Sequence, residues 1–505
     1  MLLIVSAGLL VSVLMAALVS PTGGRPRLPN SYAWLSGLAW WLAWFAAVCL
    51  ISQRPYFAAT LVVVLHAVLI AVNYSKFTAL REPFILQDFE YFSDAIRHPR
   101  LYIPFFGIVK TLVLIIAAAI AIGLFLWLEK PLSSSGMSAW QLPAGALFVS
   151  LIASAGAWLI RPRLTLDPLR DMQTTGLISL LHSHLAEYWL ARRKVFADPV
   201  AEWPSLESNG AMPHLVMVQS ESFFDPRPSY PFVEPSVLAN WDECSAVAAA
   251  AGRLSVPAWG ANTVRTEAAV LTGLSRDALG IFQYNPYRRL AKKPVSSLAS
   301  HLRAQGYKTV CVHPYLGHFY QRDRVLASLG FDEFIDISAF DESDRCGQYT
   351  GDLAVSDKVK ALLASTREPL FVFVITMENH GPLHLEQPEP GLASRVYTEI
   401  PSGPVDDLTV YLGHLQHADA MVSRLTEALQ STERGGSLCW YGDHVPIMPE
   451  VYSHFGEPEA TTPWLVWTSA NMPQTGASSG VEGPSCAAEQ LAKCWLQIVK
   501  ECRWV

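Results

Sequence analysis

The sequence predicts an N-terminal bundle of five transmembrane helices followed by an α/β domain with a mainly parallel central sheet. Three observations carry this. Five long apolar runs precede residue 162. The composition then turns more polar, and short, continuously apolar runs alternate with helical patterns to the C-terminus. Over 505 residues the chain is 51% apolar and only 16% charged, against about 25% charged in ordinary soluble proteins. A net charge of −7 lacks the basic footprint of a nucleic-acid binder. The eight cysteines contain no C-x-x-C pair, which excludes ordinary zinc-ribbon spacing.

The apolar runs cover residues 1–20, 32–52, 56–73, 104–129 and 139–160. Each approaches the ~20 residues that a helix needs to cross a bilayer. Buried helices of a soluble core would explain two or three such runs, not five in succession. The first lacks a basic leader and a small-x-small cleavage site, so it reads as a retained span rather than a signal peptide. Tyr32, Trp34, Trp40, Trp41, Trp44, Trp127 and Trp140 crowd the span ends, as interfacial anchors do. The polar, aromatic segment 74–103, with Arg81, Glu82, Pro83, Gln87, Asp88, Glu90, Asp94 and Arg97, is expected to lie along the interface as short amphipathic helices.

Basic residues cluster at Arg25 and Arg27, at Lys76, Arg81, Arg97 and Arg100, and at Arg161 and Arg163, with only Arg54 and Lys130 opposed to them. The positive-inside rule would therefore put the C-terminal domain in the cytoplasm.

The predicted domains are a membrane domain 1–161, a connecting segment 162–212 and a catalytic domain 213–505. Residues 172–195 have helical periodicity and a basic end, and read as a connecting helix near the membrane surface. Beyond it, strands are predicted at His214–Gln219, Lys308–His313, Leu370–Ile375, Ser437–Tyr441 and Trp464–Trp467, with helices at 296–305, 353–365, 407–429 and 486–500. Continuous apolar strands separated by helices indicate a sheet covered on both faces.

Polar groups follow directly on these strands, where open α/β sheets place their ligands. Glu221 follows the first, His313 ends the second, Glu378-Asn379-His380 follows the third and Gly442-Asp443-His444 the fourth. Glu221, Asp443 and His444 form a mixed oxygen and nitrogen set suited to Mn²⁺, Zn²⁺ or Mg²⁺ with a position open for substrate. Alone, Glu221 reads equally as a cap or surface carboxylate. Trp259–Leu274 is a loop entering a helix, with Asn262 or Thr263 at the N-cap. Thr263 is either a plain cap or an activated nucleophile at a helix N-terminus that favours anions. The local sequence leaves both open.

Five motifs in order, Q-S-E-S-F at 219–223, G-A-N-T-V-R-T-E at 260–267, Y-Q-R-D at 320–323, E-N-H at 378–380 and Y-G-D-H at 441–444, resemble the lipoteichoic acid synthase family of phosphoglycerol transferases, in the alkaline phosphatase/sulfatase superfamily. The layout of five spans before an α/β domain agrees. The resemblance implies that Glu221, Thr263, Asp443 and His444 bind one divalent metal, commonly Mn²⁺, and that Thr263 is the nucleophile. It matches Arg322, His380 and Tyr320 to the positions that hold the phosphoglycerol head group. Tyr320 stands where the family often has Trp. His313 lies near the pocket without an assigned role, and Glu378, His318 and His384 read as supporting residues.

The implied function is a membrane-anchored phosphotransferase with a phospholipid donor, phosphatidylglycerol, and a hydroxyl acceptor on a glycan or polymer. These lie outside the cytoplasm, so the resemblance places a multi-pass protein in the bacterial cytoplasmic membrane with its catalytic domain outside, against the Arg/Lys count. Large domains translocate largely regardless of charge. A phosphoethanolamine transferase of the same superfamily is the first alternative; such proteins usually carry several disulfides. A transport or binding protein without catalysis is the second. Thr263-Val-Arg-Thr-Glu breaks the C/S-x-P/A-x-R signature of sulfatases, and no Walker A loop is present. Cys311 and Cys439 read as core residues, while pairing among Cys486, Cys494 and Cys502 is left open.

Overall fold

The computed structural model describes residues 2–18, 29–90, 108–135, 140–206, 212–470 and 485–504. Arg25, Arg27, Asp94, Arg97 and Arg100 lie outside the described residues, as does the rest of segment 91–103. The chain divides into two compact units, 1–194 and 195–505.

In the first unit, helices occupy all five apolar runs: Leu2–Leu18, Ser31–Ser52, Pro55–Leu80, Ile108–Leu128 and Gln141–Leu159. Among the described residues, Ser31–Ser52, Pro55–Leu80 and Gln141–Leu159 are long and apolar enough to cross a membrane. The protein is thus a membrane protein with N-terminal spans. Their outward surface remains apolar, with Ile51, Ile120, Leu124, Phe148 and Ile152 exposed, a patch that water would not tolerate and lipid does. Trp41, Phe45, Cys49, Ala58 and Val62 pack inside.

The third helix runs on to Leu80, so residues 74–80 continue a span instead of starting an interfacial segment. Its orphan N-terminal amides are met by Glu129, whose carboxylate accepts from Tyr56 N at 2.9 Å and Phe57 N at 2.7 Å.

The predicted connecting helix is broken at Gly176, whose φ of 83° no side-chain-bearing residue adopts readily. It becomes Pro168–Thr175, capped by Asp167, and Leu177–Ala191. Residues 177–184 are buried, and Ser36 Oγ meets Ser179 Oγ at 2.8 Å while Tyr32 Oη meets Ser183 Oγ at 2.7 Å. Polar pairs in an apolar bundle satisfy each other, so this helix packs into the unit.

Among the described residues of the second unit there are ten strands: β1 His214–Ser220, β2 Ala250–Ser255, β3 Lys308–Val312, β4 Glu333–Ile335, β5 Arg345–Cys346, β6 Tyr349–Thr350, β7 Leu370–Ile375, β8 Gly436–Gly442, β9 Thr461–Thr468 and β10 Cys486–Ala487. Eight form one sheet in the order β10-β2-β9-β8-β1-β7-β3-β4, and β5 with β6 makes a separate ribbon. The sheet is mixed and mainly parallel: β9 runs antiparallel to both β2 and β8.

The central strands β1, β7 and β8 are buried throughout. Successive side chains leave opposite faces: Val216 and Val218 enter one core, Leu215 and Met217 the other. Helices on both faces cover the sheet, including Asp352–Ser365, Asp406–Ser431 and Ala488–Glu501. All eight cysteines are unpaired thiols.

Candidate metal centre and active site

Parallel pairing sets the first part of the site. In the β1–β8 register Ser220 lies opposite Gly442, so Glu221 and Asp443 leave neighbouring strands at the same level. Gly442 permits the close approach there, since a Cβ on it would sit 1.9 Å from the Phe223 carbonyl oxygen. The chain turns sharply after β1 at Ser222, in the left-handed region at φ 52°. This turn aims the Ser222 amide at Asp443 Oδ1, 2.8 Å away, and its hydroxyl at Glu221 Oε1, 3.1 Å away. The Glu221 amide donates to Thr376 Oγ1 at 3.0 Å.

One ligand atom from each of Glu221, Asp443 and His444 lies within 4.8 Å of the others, and all three residues are buried. His444 Nδ1 is 3.1 Å from the Val445 carbonyl, which makes it the donor and leaves the Nε2 lone pair facing inward. Nε2 is 3.2 Å from Asp443 Oδ2 and 3.5 Å from Glu221 Oε1. Asp443 Oδ1 accepts two amide hydrogens, whereas Oδ2 is buried without a hydrogen-bond donor.

Two carboxylates and an imidazole lone pair thus converge on one point. Burial, and then the Asp443 charge, push the Glu221 carboxyl up to about 8. A cation resolves this convergence. Tetrahedral coordination at bond lengths of about 2.0–2.3 Å spaces donor atoms roughly 3.3–3.8 Å apart, close to the 3.2 and 3.5 Å that separate His444 Nε2 from the two carboxylates. The residues fit the implied ion.

Thr263 begins the helix Thr263–Thr272, every residue of which is buried. The N-cap is Asn262, held at φ 67° with no side-chain cap bond, so the expected capping bond is absent from Asn262. One turn on, Thr266 Oγ1 donates to the Asp443 carbonyl at 2.9 Å. Residues three apart share a helix face, so the helix start carrying Thr263 is pinned to the strand end that carries Asp443.

Arg322 is not a solvated helix-start charge. It is buried, and its guanidinium forks onto Glu267, with Nη2 on Oε1 and Nε 3.2 Å from Oε2. Nη1 donates to His313 Nε2 at 3.0 Å. His313 Nδ1 in turn donates to the Ile375 carbonyl at 3.1 Å, and burial with the adjacent Arg322 charge holds this imidazole well below its usual pKa. Three of the five guanidinium hydrogens are then used, and two remain for an anion. Arg322 also lies 5.3 Å from the Tyr320 ring centroid.

His380 Nδ1 is 2.7 Å from the Gly381 carbonyl and 3.2 Å from Tyr349 Oη; burial keeps this imidazole below its usual pKa. Glu267 closes the G-A-N-T-V-R-T-E motif, which by itself gives it no role, and nothing in the local sequence marks Tyr349. The available signal for Glu267 is its i+4 spacing from Thr263, which puts both on one face of the helix Thr263–Thr272.

The sulfatase family model matches residues 213–491, more than half of the chain, and the chain belongs to that family. Over 435 residues it is 28% identical to the capsular polysaccharide biosynthesis protein RkpI of Rhizobium meliloti (strain 1021), covering 82% of this chain and 78% of that protein. The lipoteichoic acid synthase of Staphylococcus aureus (strain USA300) is 28% identical over 153 residues, 28% of this chain and 22% of that protein. Among solved structures, the integral membrane protein lipooligosaccharide phosphoethanolamine transferase A of Neisseria meningitidis aligns with a TM-score of 0.54 over 94% of this chain and 96% of that one, at 10% identity. At that identity the match shows a common fold.

Proposed function

We propose that the protein is a metal-dependent phosphotransferase that moves phosphoglycerol from phosphatidylglycerol to a hydroxyl of a glycan or polymer, with the catalytic unit outside the cytoplasm. The observation that carries this reading is the convergence of Glu221, Asp443 and His444 beside the helix that begins at Thr263. A chain with its own membrane spans keeps such a site near a donor that cannot leave the bilayer. The relationship to a capsular polysaccharide biosynthesis protein supports a glycan acceptor.

Glu221, Asp443, His444 and the Thr263 hydroxyl would hold a divalent metal, Mn²⁺ in our reading, which would supply Lewis-acid chemistry at the hydroxyl and toward phosphoryl charge. Thr263 Oγ1 attacks the head-group phosphorus. The phosphorus–oxygen bond to diacylglycerol breaks, and diacylglycerol leaves carrying the proton that Thr263 gave up. Phosphoglycerol stays esterified to Thr263 until an acceptor hydroxyl attacks the same phosphorus, and that hydroxyl's proton returns to Thr263. The two unused hydrogens of Arg322 face the phosphoryl charge, while His380 and Tyr320 contact the glycerol end.

Eight unpaired cysteines weigh against the phosphoethanolamine alternative, whose members usually carry several disulfides. The deciding experiment is to incubate the purified protein with head-group-labelled phosphatidylglycerol and follow diacylglycerol release and the label. Label on the peptide carrying Thr263 when acceptor is withheld supports the reading. Consumption of phosphatidylethanolamine, with phosphatidylglycerol untouched, would replace it with the alternative.

A further inference from the structure

We propose a second metal centre, separate from the Glu221, Asp443 and His444 group, in which Cys346, Glu378 and His414 bind one zinc-class divalent ion. One ligand atom from each of the three lies within 4.8 Å of the others. They come from three elements: Cys346 from the β5–β6 ribbon, Glu378 from the segment after β7, and His414 from the helix Asp406–Ser431.

The outer contacts are those that a metal-binding histidine needs. His414 Nε2 faces the Glu386 carboxylate at 3.2 Å, which fixes the proton on that nitrogen. His414 is 6% exposed, and its Nδ1 is buried with no hydrogen-bond partner. A histidine whose one nitrogen donates to a carboxylate while the other presents a bare lone pair matches the usual outer arrangement of a metal ligand.

Glu378 is fully buried, and its Oε2 accepts the Asp352 amide at 2.6 Å. His417 completes the surround, with Nδ1 2.5 Å from Glu378 Oε1 and 3.6 Å from Cys346 Sγ. A simple His417–Glu378 ion pair would account for Glu378 but leaves His414 Nδ1 without a partner.

Donor chemistry selects the ion. A thiolate with imidazole and carboxylate suits zinc or cobalt and disfavours Mg²⁺ and Mn²⁺, unlike the oxygen and nitrogen set at Asp443. On binding, the Cys346 S–H bond breaks, its proton goes to solvent, and a sulfur–metal bond forms. The ion joins the ribbon to the end of β7. It thereby positions Tyr349, on the same ribbon, against His380.

The test uses the full chain in detergent, stripped with chelator and titrated with Co²⁺. Of the two centres only this one contains a cysteine, so sulfur-to-cobalt absorption in the near ultraviolet separates it from the other, the Cys346 and His414 variants separate it from the remaining thiols, and atomic emission counts bound metal. The expected result is absorption that saturates by two equivalents in the wild type, where both centres take cobalt, and at one equivalent in Asp443→Ala, where only this centre remains. It should vanish in Cys346→Ser and require roughly 10–100-fold more cobalt in Glu386→Gln. His414→Ala, which keeps every cysteine, should also lose it, and thermal melts of each variant check folding. No absorption in the wild type, absorption kept in Cys346→Ser, or absorption lost in a folded Asp443→Ala would overturn the proposal.

Discussion

Glu267→Gln isolates the buried ion pair behind the candidate active site. Glu267 and Arg322 are 0% and 2% exposed. The carboxylate accepts from Nη2 and Nε of Arg322 and from the Tyr287 hydroxyl at 2.7 Å. Glutamine keeps the shape but removes the charge, leaving a guanidinium desolvated and without its counter-ion. Breaking a buried pair from one side costs about 3–5 kcal/mol. The unit from Val195 to Val505 has about 310 residues and so an unfolding entropy near 0.65 kcal/mol/K, which places the melting drop at about 5–8 °C. Differential scanning calorimetry of the full chain reads it. Replacing both partners, as Glu267→Gln with Arg322→Met, should recover most of the loss because no charge is then stranded. A shift below about 1 °C in Glu267→Gln, or a double variant as unstable as both single losses added, would refute the reasoning.

Thr263→Ala should lower turnover by several orders of magnitude while changing stability by less than about 1 kcal/mol; a folded variant that still releases diacylglycerol at the wild-type rate would return Thr263 to a structural role. Asp443→Ala should lose the metal bound with Glu221 and His444, and with it activity, and leave the membrane unit folded, as metal analysis and circular dichroism will show. Gly442→Ala should lower metal affinity at this site, because a Cβ 1.9 Å from the Phe223 carbonyl oxygen must displace the turn whose Ser222 amide holds Asp443. Isothermal titration checks it, and unchanged affinity would mean that the turn is not under this constraint. A phosphatase reporter fused after residue 200 should be active and a cytoplasmic fluorescent reporter dark; the reverse would restore the positive-inside orientation and remove the proposed donor and acceptor together.

The strands that build the site were legible because burial on both faces makes a strand continuously apolar. Leu370–Ile375 was read with its observed bounds, and β1, β3 and β8 to within one residue at either end. The polar residues that end those strands stood out against that background, which is why Glu221, Asp443 and His444 could be named together. β2, with the sequence A-A-G-R-L-S and mostly intermediate burial, carries no such signal. Neither do β4 and β10, which are only three and two residues long and exist because a neighbouring strand offers them hydrogen bonds.

By itself the sequence determined the two-part layout, the central strands and the order of residues at their ends, since each depends on local periodicity and composition. The tertiary structure decided which distant polar groups meet. Glu267 and Arg322 are 55 positions apart, and nothing local says that one neutralises the other. Cys346, Glu378 and His414 converge only because a ribbon, a strand end and a helix pack at one level. Pairings of that kind are settled by desolvation, which forces each buried charge or lone pair to find a partner wherever the fold brings one within reach.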